Sequence, residues 1–180
     1  MRKVPGHEND ALIVGRFQPF HKGHLEVIKK VASECNRMII GIGSAQYSHT
    51  RDNPFTAGER YEMIFNALKD EGIENFVIVP VEDLNIYSLW VAKVESICPP
   101  FSVVYSNNPA TRRLFIEAGY EIRESPMYNR HEFSGTEVRR RMVSDGDWKS
   151  LVPKRVAEVL ESIDGTGRVK ATMGDAVEER

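Results

Sequence analysis

Ala11-Leu12-Ile13-Val14-Gly15-Arg16-Phe17-Gln18-Pro19-Phe20-His21-Lys22-Gly23-His24 is the stretch that decides the fold of this chain. Four apolar residues closed by Gly15 form the pattern of a strand buried on both faces, as in a parallel sheet. From Lys22 to Cys35, Leu25, Ile28, Val31 and Ala32 recur at helical spacing. Strand, short loop and helix therefore follow one another directly. Gly15 is expected to let the backbone turn tightly, and Gly23 to leave room for a bulky ligand beside the main chain. His21 and His24, three residues apart, share a face of the first helical turn. A helix start offers free N–H donors and positive potential, which suit a phosphate. The plainer reading is that both histidines are polar surface residues at a helix start.

The same alternation continues outward. Residues 37–42 and 76–81 read as further buried strands, the second limited by Pro80. Val103-Val104-Tyr105 and residues 120–123 complete five strands. Thr56 and Glu59 form a capping box opening a helix to Glu71, and Ser134 and Glu137 repeat the pattern before Arg139, Arg140 and Arg141. Ile86, Leu89, Trp90, Val94 and Ile97 form one helical stripe stopped by Pro99 and Pro100. Helices are also expected near residues 110–118 and 154–163. Strands alternating with helices predict an α/β domain, a doubly wound parallel sheet of Rossmann-like type, over residues 11–163. Residues 1–10 read as a loose polar arm, and 165–180, interrupted by glycine, as a mobile tail. The ligand crevice of such a fold lies beyond the carboxyl ends of the strands, at the switch point.

Composition limits the partners. The 180 residues are 41% hydrophobic and 28% charged, with a net charge of -2. That balance disfavours a broadly basic nucleic-acid or membrane binder, so phosphate affinity has to come from local clusters. Two cysteines, Cys35 and Cys98, make no disulfide framework. No apolar run approaches the ~18 residues of a membrane span, and no signal peptide is visible, so a cytoplasmic location is expected.

The second segment with chemical content is Phe133-Ser134-Gly135-Thr136-Glu137-Val138-Arg139. It sets two hydroxyls and several main-chain amides at another helix start. Of Arg139 and Arg140, only one can face a given ligand, and a guanidinium can grip two phosphate oxygens at once. A solvent helix with a basic face is the bland alternative. No Cys or carboxylate completes a zinc set around His21 and His24, and the close glycine triplet of dinucleotide-binding loops is absent.

The loop Gly15-Arg16-Phe17-x-Pro19-Phe20-His21-x-Gly23-His24 paired with Ser134-x-Thr136-x-x-Arg139 resembles the nucleotidylyltransferase superfamily. The closer resemblance is to archaeal-type nicotinamide-nucleotide adenylyltransferases. It extends through Ile42-Gly43-Ser44-Ala45-Gln46, Asn53-Pro54-Phe55-Thr56-Ala57-Gly58-Glu59-Arg60 and Ser134 to Arg141. The resemblance implies direct in-line transfer of an adenylyl group from ATP to nicotinamide mononucleotide (NMN), giving NAD and pyrophosphate, a step of NAD biosynthesis. It also implies a divalent metal, usually Mg²⁺, carried mainly by the ATP phosphates, and a symmetric homo-oligomer, commonly a hexamer. By the same resemblance His21, His24, Arg16 and Arg139 would be catalytic. Gly15, Arg16, Phe17, His21, Gly23, His24, Ser134, Thr136 and Arg139 would bind ATP, and Arg51, Asp83 and Trp90 the nicotinamide nucleotide. Read from the residues alone, Trp90 could equally pack in the core, and Asp83 could cap the following helix. Transfer to another phosphorylated acceptor, such as phosphopantetheine or FMN, and a non-catalytic nucleotide sensor are the competing functions.

Overall fold

The computed structural model describes residues 4–84, 86–125 and 132–174. Its strands are β1 (Ala11–Gly15), β2 (Met38–Ile42), β3 (Phe76–Pro80), β4 (Val103–Tyr105) and β5 (Glu121–Arg123). They form one sheet in the order β3-β2-β1-β4-β5, every pair parallel. The chain leaves β1 in one direction for β2 and β3, then returns to the other side for β4 and β5. The switch point therefore lies between β1 and β4, as the doubly wound reading requires.

The helices are α1 (Lys22–Glu34), α2 (Ala57–Asp70), α3 (Trp90–Ile97), α4 (Pro109–Glu117), α5 (Gly135–Val143), α6 (Lys154–Ser162) and α7 (Gly165–Gly174). Alternate strand residues feed two cores. Ala11, Ile13, Ile40, Ile42 and Tyr105 face Leu25, Ile28, Met63, Leu68, Val138 and Leu160. Leu12, Ile39 and Val104 face Val94, Phe115 and Tyr120. That is why the central strands read as unbroken apolar runs rather than alternating ones. Among the described residues no helix is long and apolar enough to cross a membrane.

Three expectations need correction. The tail expected to move from residue 165 instead continues as α7, with Val169 buried. Gly167 N–H bonds to the Asp164 carboxylate at 3.2 Å, and Arg168 N–H to the Asp164 carbonyl at 3.0 Å, so a cap and tertiary contacts compensate for the glycines. Residues 175–180 and 1–3 lie outside the described residues. The N-terminal arm is pinned over residues 4–10. Val4 N–H reaches Ser102 Oγ at 3.1 Å, and buried Asp10 accepts from Arg37 and pairs with His7, each at 2.8 Å. The apolar stripe through Ile86 and Leu89 is not a buried face. Ile86, just before a 3₁₀ turn at Tyr87–Leu89, is 56% exposed and Leu89, within it, 52%, before α3 begins at Trp90.

Arg60, on α2, has no exposed surface. Its Nη1 donates to the carbonyls of Arg16 (2.9 Å) and Gly43 (2.8 Å), Nη2 to Ser44 (3.1 Å), and Nε to Thr56 (3.1 Å). One guanidinium thus ties the loops after β1 and β2 to the start of α2. Burial lowers its pKa to about 10, so it stays charged at neutral pH. Arg60→Met strips a donor from four carbonyls and is expected to cost about 3–5 kcal/mol in urea denaturation. Arg60→Lys, with three donors on one nitrogen, should recover only part of that loss.

Candidate active site

The loop after β1 folds tightly around its aromatic residues. Phe17 sits in the left-handed region at φ 50°, and its ring turns back over Gly15. A Cβ on Gly15 would meet that ring at 2.8 Å. Gly15 is thus required by a close approach, not by an unusual φ of its own. Gly23 is similar: the space its missing side chain leaves is taken by Phe133, whose Cβ would lie 2.9 Å from a Cβ there, and by the His21 ring. The room expected for a ligand is occupied by protein, although the Gly23 backbone still borders the cleft.

His21 is the N-cap of α1 and His24 its third residue. Each imidazole accepts the other residue's main-chain N–H at Nδ1, both at 3.3 Å. Two imidazoles thereby form a reciprocal cap in the manner of a capping box. Their rings stack with centroids 3.5 Å apart, and Phe17 and Phe20 pack against His24. Burial lowers the His21 pKa to about 4. Burial, reinforced by the neighbouring His21, also holds His24 well below the ordinary histidine range. Both rings are therefore neutral at pH 7. With Nδ1 occupied as an acceptor, the single proton of each sits on Nε2, a donor free for a ligand.

Across the cleft stands the start of α5. Ser134 Oγ accepts the Glu137 N–H at 3.1 Å, which leaves its own O–H free to donate. The expected capping box is only half made, because Glu137 is held by Arg140 at 2.7 and 2.8 Å and by Arg141 at 2.8 Å. Arg140 is turned to solvent, whereas Arg139 is buried and its Nη1 donates to the Gln18 carbonyl at 2.6 Å. A Cβ on Gly135 would lie 2.8 Å from that same carbonyl, so only glycine lets α5 close on the β1 loop. Arg139 Nη2 is 4.0 Å from the exposed Asp52 carboxylate. Burial first, and then the charges of Arg16 and Arg51, lower the Arg139 pKa, while Asp52 opposes them. Arg16, Arg51 and Arg139 therefore share one electrostatic neighbourhood.

Arg16, Phe17, His21, Gly23, His24, Ser134, Thr136 and Arg139 all border one cleft of 620 Å³. The early imidazole pair and the late guanidinium converge. A second cleft, of 660 Å³, is bordered by Gly15, Ser44, Tyr47, Asp83, Tyr87 and Trp90. The two clefts share Arg16 and Asn108, so Arg16 stands where they meet. Asp83 does not cap α3. Its carboxylate accepts the Ser44 hydroxyl at 2.6 Å. Trp90 combines both readings, packing on Phe115 at 5.6 Å while bordering the second cleft. Arg51 is exposed and borders neither cleft as drawn by these residues.

Sequence reasoning missed Gln18, Asn107 and Asn108. Gln18 is buried, and its amide both donates to Phe55 O and accepts from Phe55 N–H, each at 2.9 Å. Asn107 exchanges hydrogen bonds with Ser125 at 2.7 and 3.1 Å, and Asn108 caps α4. The asparagines were findable, because they follow the fourth strand where the crevice was expected. Cys35 and Cys98 end α1 and α3, and burial pushes both thiols up to about 11, so neither is a ready nucleophile.

A family profile described as Cytidylyltransferase-like matches residues 12–141. The nicotinamide-nucleotide adenylyltransferase of Thermoplasma acidophilum is 54% identical over 163 residues, covering 91% of each chain. That of Archaeoglobus fulgidus is 52% identical over 169 residues, covering 91% of this chain and 97% of its own. Among solved structures, a bifunctional NMN adenylyltransferase/ADP ribose pyrophosphatase from Francisella tularensis superposes with a TM-score of 0.77 at 22% identity. That match covers 94% of this chain but 54% of the bifunctional one, and it speaks for the fold. The same bifunctional enzyme complexed with AMP and a Mn ion gives a TM-score of 0.70 at 23% identity. The chain belongs to the cytidylyltransferase-like family and, within it, to the group of archaeal nicotinamide-nucleotide adenylyltransferases.

Proposed function

We propose that this protein transfers the adenylyl group of ATP to nicotinamide mononucleotide, yielding NAD and pyrophosphate. The observation that carries the reading is the cleft in which two neutral, Nε2-protonated imidazoles face Arg139 and the start of α5. High identity to relatives of that name, over nearly their whole length, supports the choice of acceptor.

The attacking NMN phosphate oxygen is already nucleophilic, so the site needs no strong base. It displaces pyrophosphate from the α-phosphorus: one P–O bond forms as another breaks, and the departing pair of electrons stays on pyrophosphate. What the protein supplies is placement and fixed donors where charge develops. In this scheme His21 and His24 donate from Nε2 to phosphate oxygens, as do Ser134, Thr136 and the amides of the α5 start. Arg139 grips the outer phosphates. Arg16, at the junction of the clefts, meets phosphate of both substrates. Trp90 and Asp83 border the nicotinamide side, and Arg51 takes the NMN phosphate. Among the described residues no cluster of three His, Cys, Asp or Glu side chains is placed to hold a metal. The divalent ion, Mg²⁺ in our reading, would be carried mainly by the ATP phosphates as part of the substrate.

The test is incubation with ATP, Mg²⁺ and a panel of phosphorylated acceptors, with products identified by mass. NAD from NMN is expected. A flavin or pantetheine product without NAD would move the acceptor, and ATP binding with no pyrophosphate release would leave nucleotide sensing. His24→Ala should lower kcat by ~10²–10³, about 3–4 kcal/mol of transition-state stabilisation. His24→Asn, which retains a side-chain oxygen for the His21 N–H, separates the cap from phosphate donation. Activity near the parent's in both variants would refute the role.

The histidines also set the acid limit of the empty protein. His21 is held below its unfolded pKa of about 6.5, so between that value and about 4 the unfolded chain binds more protons. Stability is full above pH ~6.5 and falls as the solution is acidified, by about 3 kcal/mol from this residue once pH 4 is reached. Thermal melts from pH 7.5 to 4.5 should show that fall, and His21→Asn should lessen it, the remainder coming from His24.

A further inference from the structure

Helix α7 touches both elements that carry the arginines of the phosphate side. Toward α5, Val169 is buried in the same core as Val138 and Met142, and Lys170 Nζ pairs with Asp145 at 2.6 Å. Toward the loop between β2 and α2, Arg168 Nη1 reaches Glu59 Oε2 at 2.6 Å, Glu59 Oε1 at 2.9 Å and the Pro54 carbonyl at 3.4 Å. Arg168 and Glu59 each expose only 19% of their side chains, so solvent screens this pair less than the surface ones. Gly165 adds a second contact: a Cβ there would sit 3.3 Å from the Phe55 ring.

The loop's end is thus gripped from two sides. Gln18 of the β1 loop holds Phe55 by its N–H and its carbonyl, and α7 holds Pro54 and Glu59. The residues between form a closed turn. His49 N–H reaches the Pro54 carbonyl at 3.3 Å, Thr50 N–H reaches the Asn53 carbonyl at 3.2 Å, and Asn53 N–H reaches Thr50 Oγ1 at 3.2 Å. Arg51 and Asp52 are the tip of that turn, and the Asp52 carboxylate lies 4.0 Å from Arg139. Because Pro54 O accepts from both His49 and Arg168, the side chain from α7 bears on the very bond that closes the turn.

We infer that Arg168 is a positioning residue for substrate binding: α7 uses it to set the Arg51–Asp52 turn against Arg139. The inference rests on the adenylyl-transfer reading, in which Arg51 meets the NMN phosphate. Arg139 keeps its own anchor on Gln18 O, so loosening the turn should weaken the acceptor side selectively.

The experiment is steady-state kinetics of the full chain with both nucleotides varied. Arg168→Met should raise KM for NMN about tenfold, the scale of a small misplacement of a binding group. KM for ATP should move less than about twofold, and Arg168→Lys should restore part of the loss. A merely structural role would reduce the active fraction, and so apparent kcat, with both KM values unmoved. Glu59→Gln keeps the oxygen that caps α2 but removes the charge facing Arg168. It should shift KM for NMN in the same direction, and it carries the test should Arg168→Met fail to fold. Unchanged KM values, or equal rises for both nucleotides, would overturn the assignment of Arg168 while leaving the activity intact. A parent protein that makes no NAD would sink the activity reading and this inference together.

Discussion

A guanidinium sealed from water with four main-chain carbonyls around it constrains everything at the carboxyl edge of this sheet. Arg60 lends its donors to the loops after β1 and β2 and to the turn entering α2, adding to the few main-chain bonds, Gly43 N–H to Gly15 and Ala45 N–H to Val81, that continue beyond the strands. Without a shared partner these carbonyls would face each other's dipoles in a dry interior, an arrangement that favours separation. Drawn together, they fix where Arg16 leaves the sheet and where Ser44 meets Asp83. The crevice at the switch point is a property of the parallel topology, and one side chain from α2 ties together the loops beside it.

The phosphate side is built from two kinds of donor that the fold treats differently. Arg139 is a permanent charge, held by the Gln18 carbonyl and 4.0 Å from Asp52 rather than in a close carboxylate pair. The imidazoles are kept uncharged by burial, His24 also by its neighbour His21, with their tautomer chosen by the helix start they cap. In the proposed scheme the charge gathers the polyanion, while the neutral, oriented N–H groups meet oxygens where charge grows. The two halves are joined by Gln18, whose carbonyl carries Arg139 and whose amide carries Phe55.

Much of this was legible in the sequence because the signals are local. Short apolar runs marked four of the five strands, and Thr56 with Glu59 marked the start of α2. Ser134 marked α5, and the His21–His24 spacing placed both rings on one turn. What escaped depends on partners far along the chain. Nothing near Arg60 announces that it is buried, and its acceptors at Arg16, Gly43 and Ser44 come from two other loops. Ile86 and Leu89 fit a helical period, yet the helix starts only at Trp90 and leaves them outside. Helix α7 has three glycines and one fully buried apolar side chain, so propensity argues against it. Asp164, at φ 48°, ends α6 and caps the next helix, the one local hint that the chain continues in order.

The uncharged state of the stacked rings has an outcome for the solution around the protein. In the proposed scheme a triphosphate against Nε2 of His21 and His24 would favour the imidazolium form, but the added proton would have to enter at Nδ1, where each ring accepts a main-chain N–H, so the helix cap opposes it. Any uptake of hydrogen ions on binding would accordingly be confined to acid solution, toward the His21 pKa of about 4. From neutral pH upward neither ring has a charge to lose, so in that scheme alkalinity leaves their hold on phosphate unchanged.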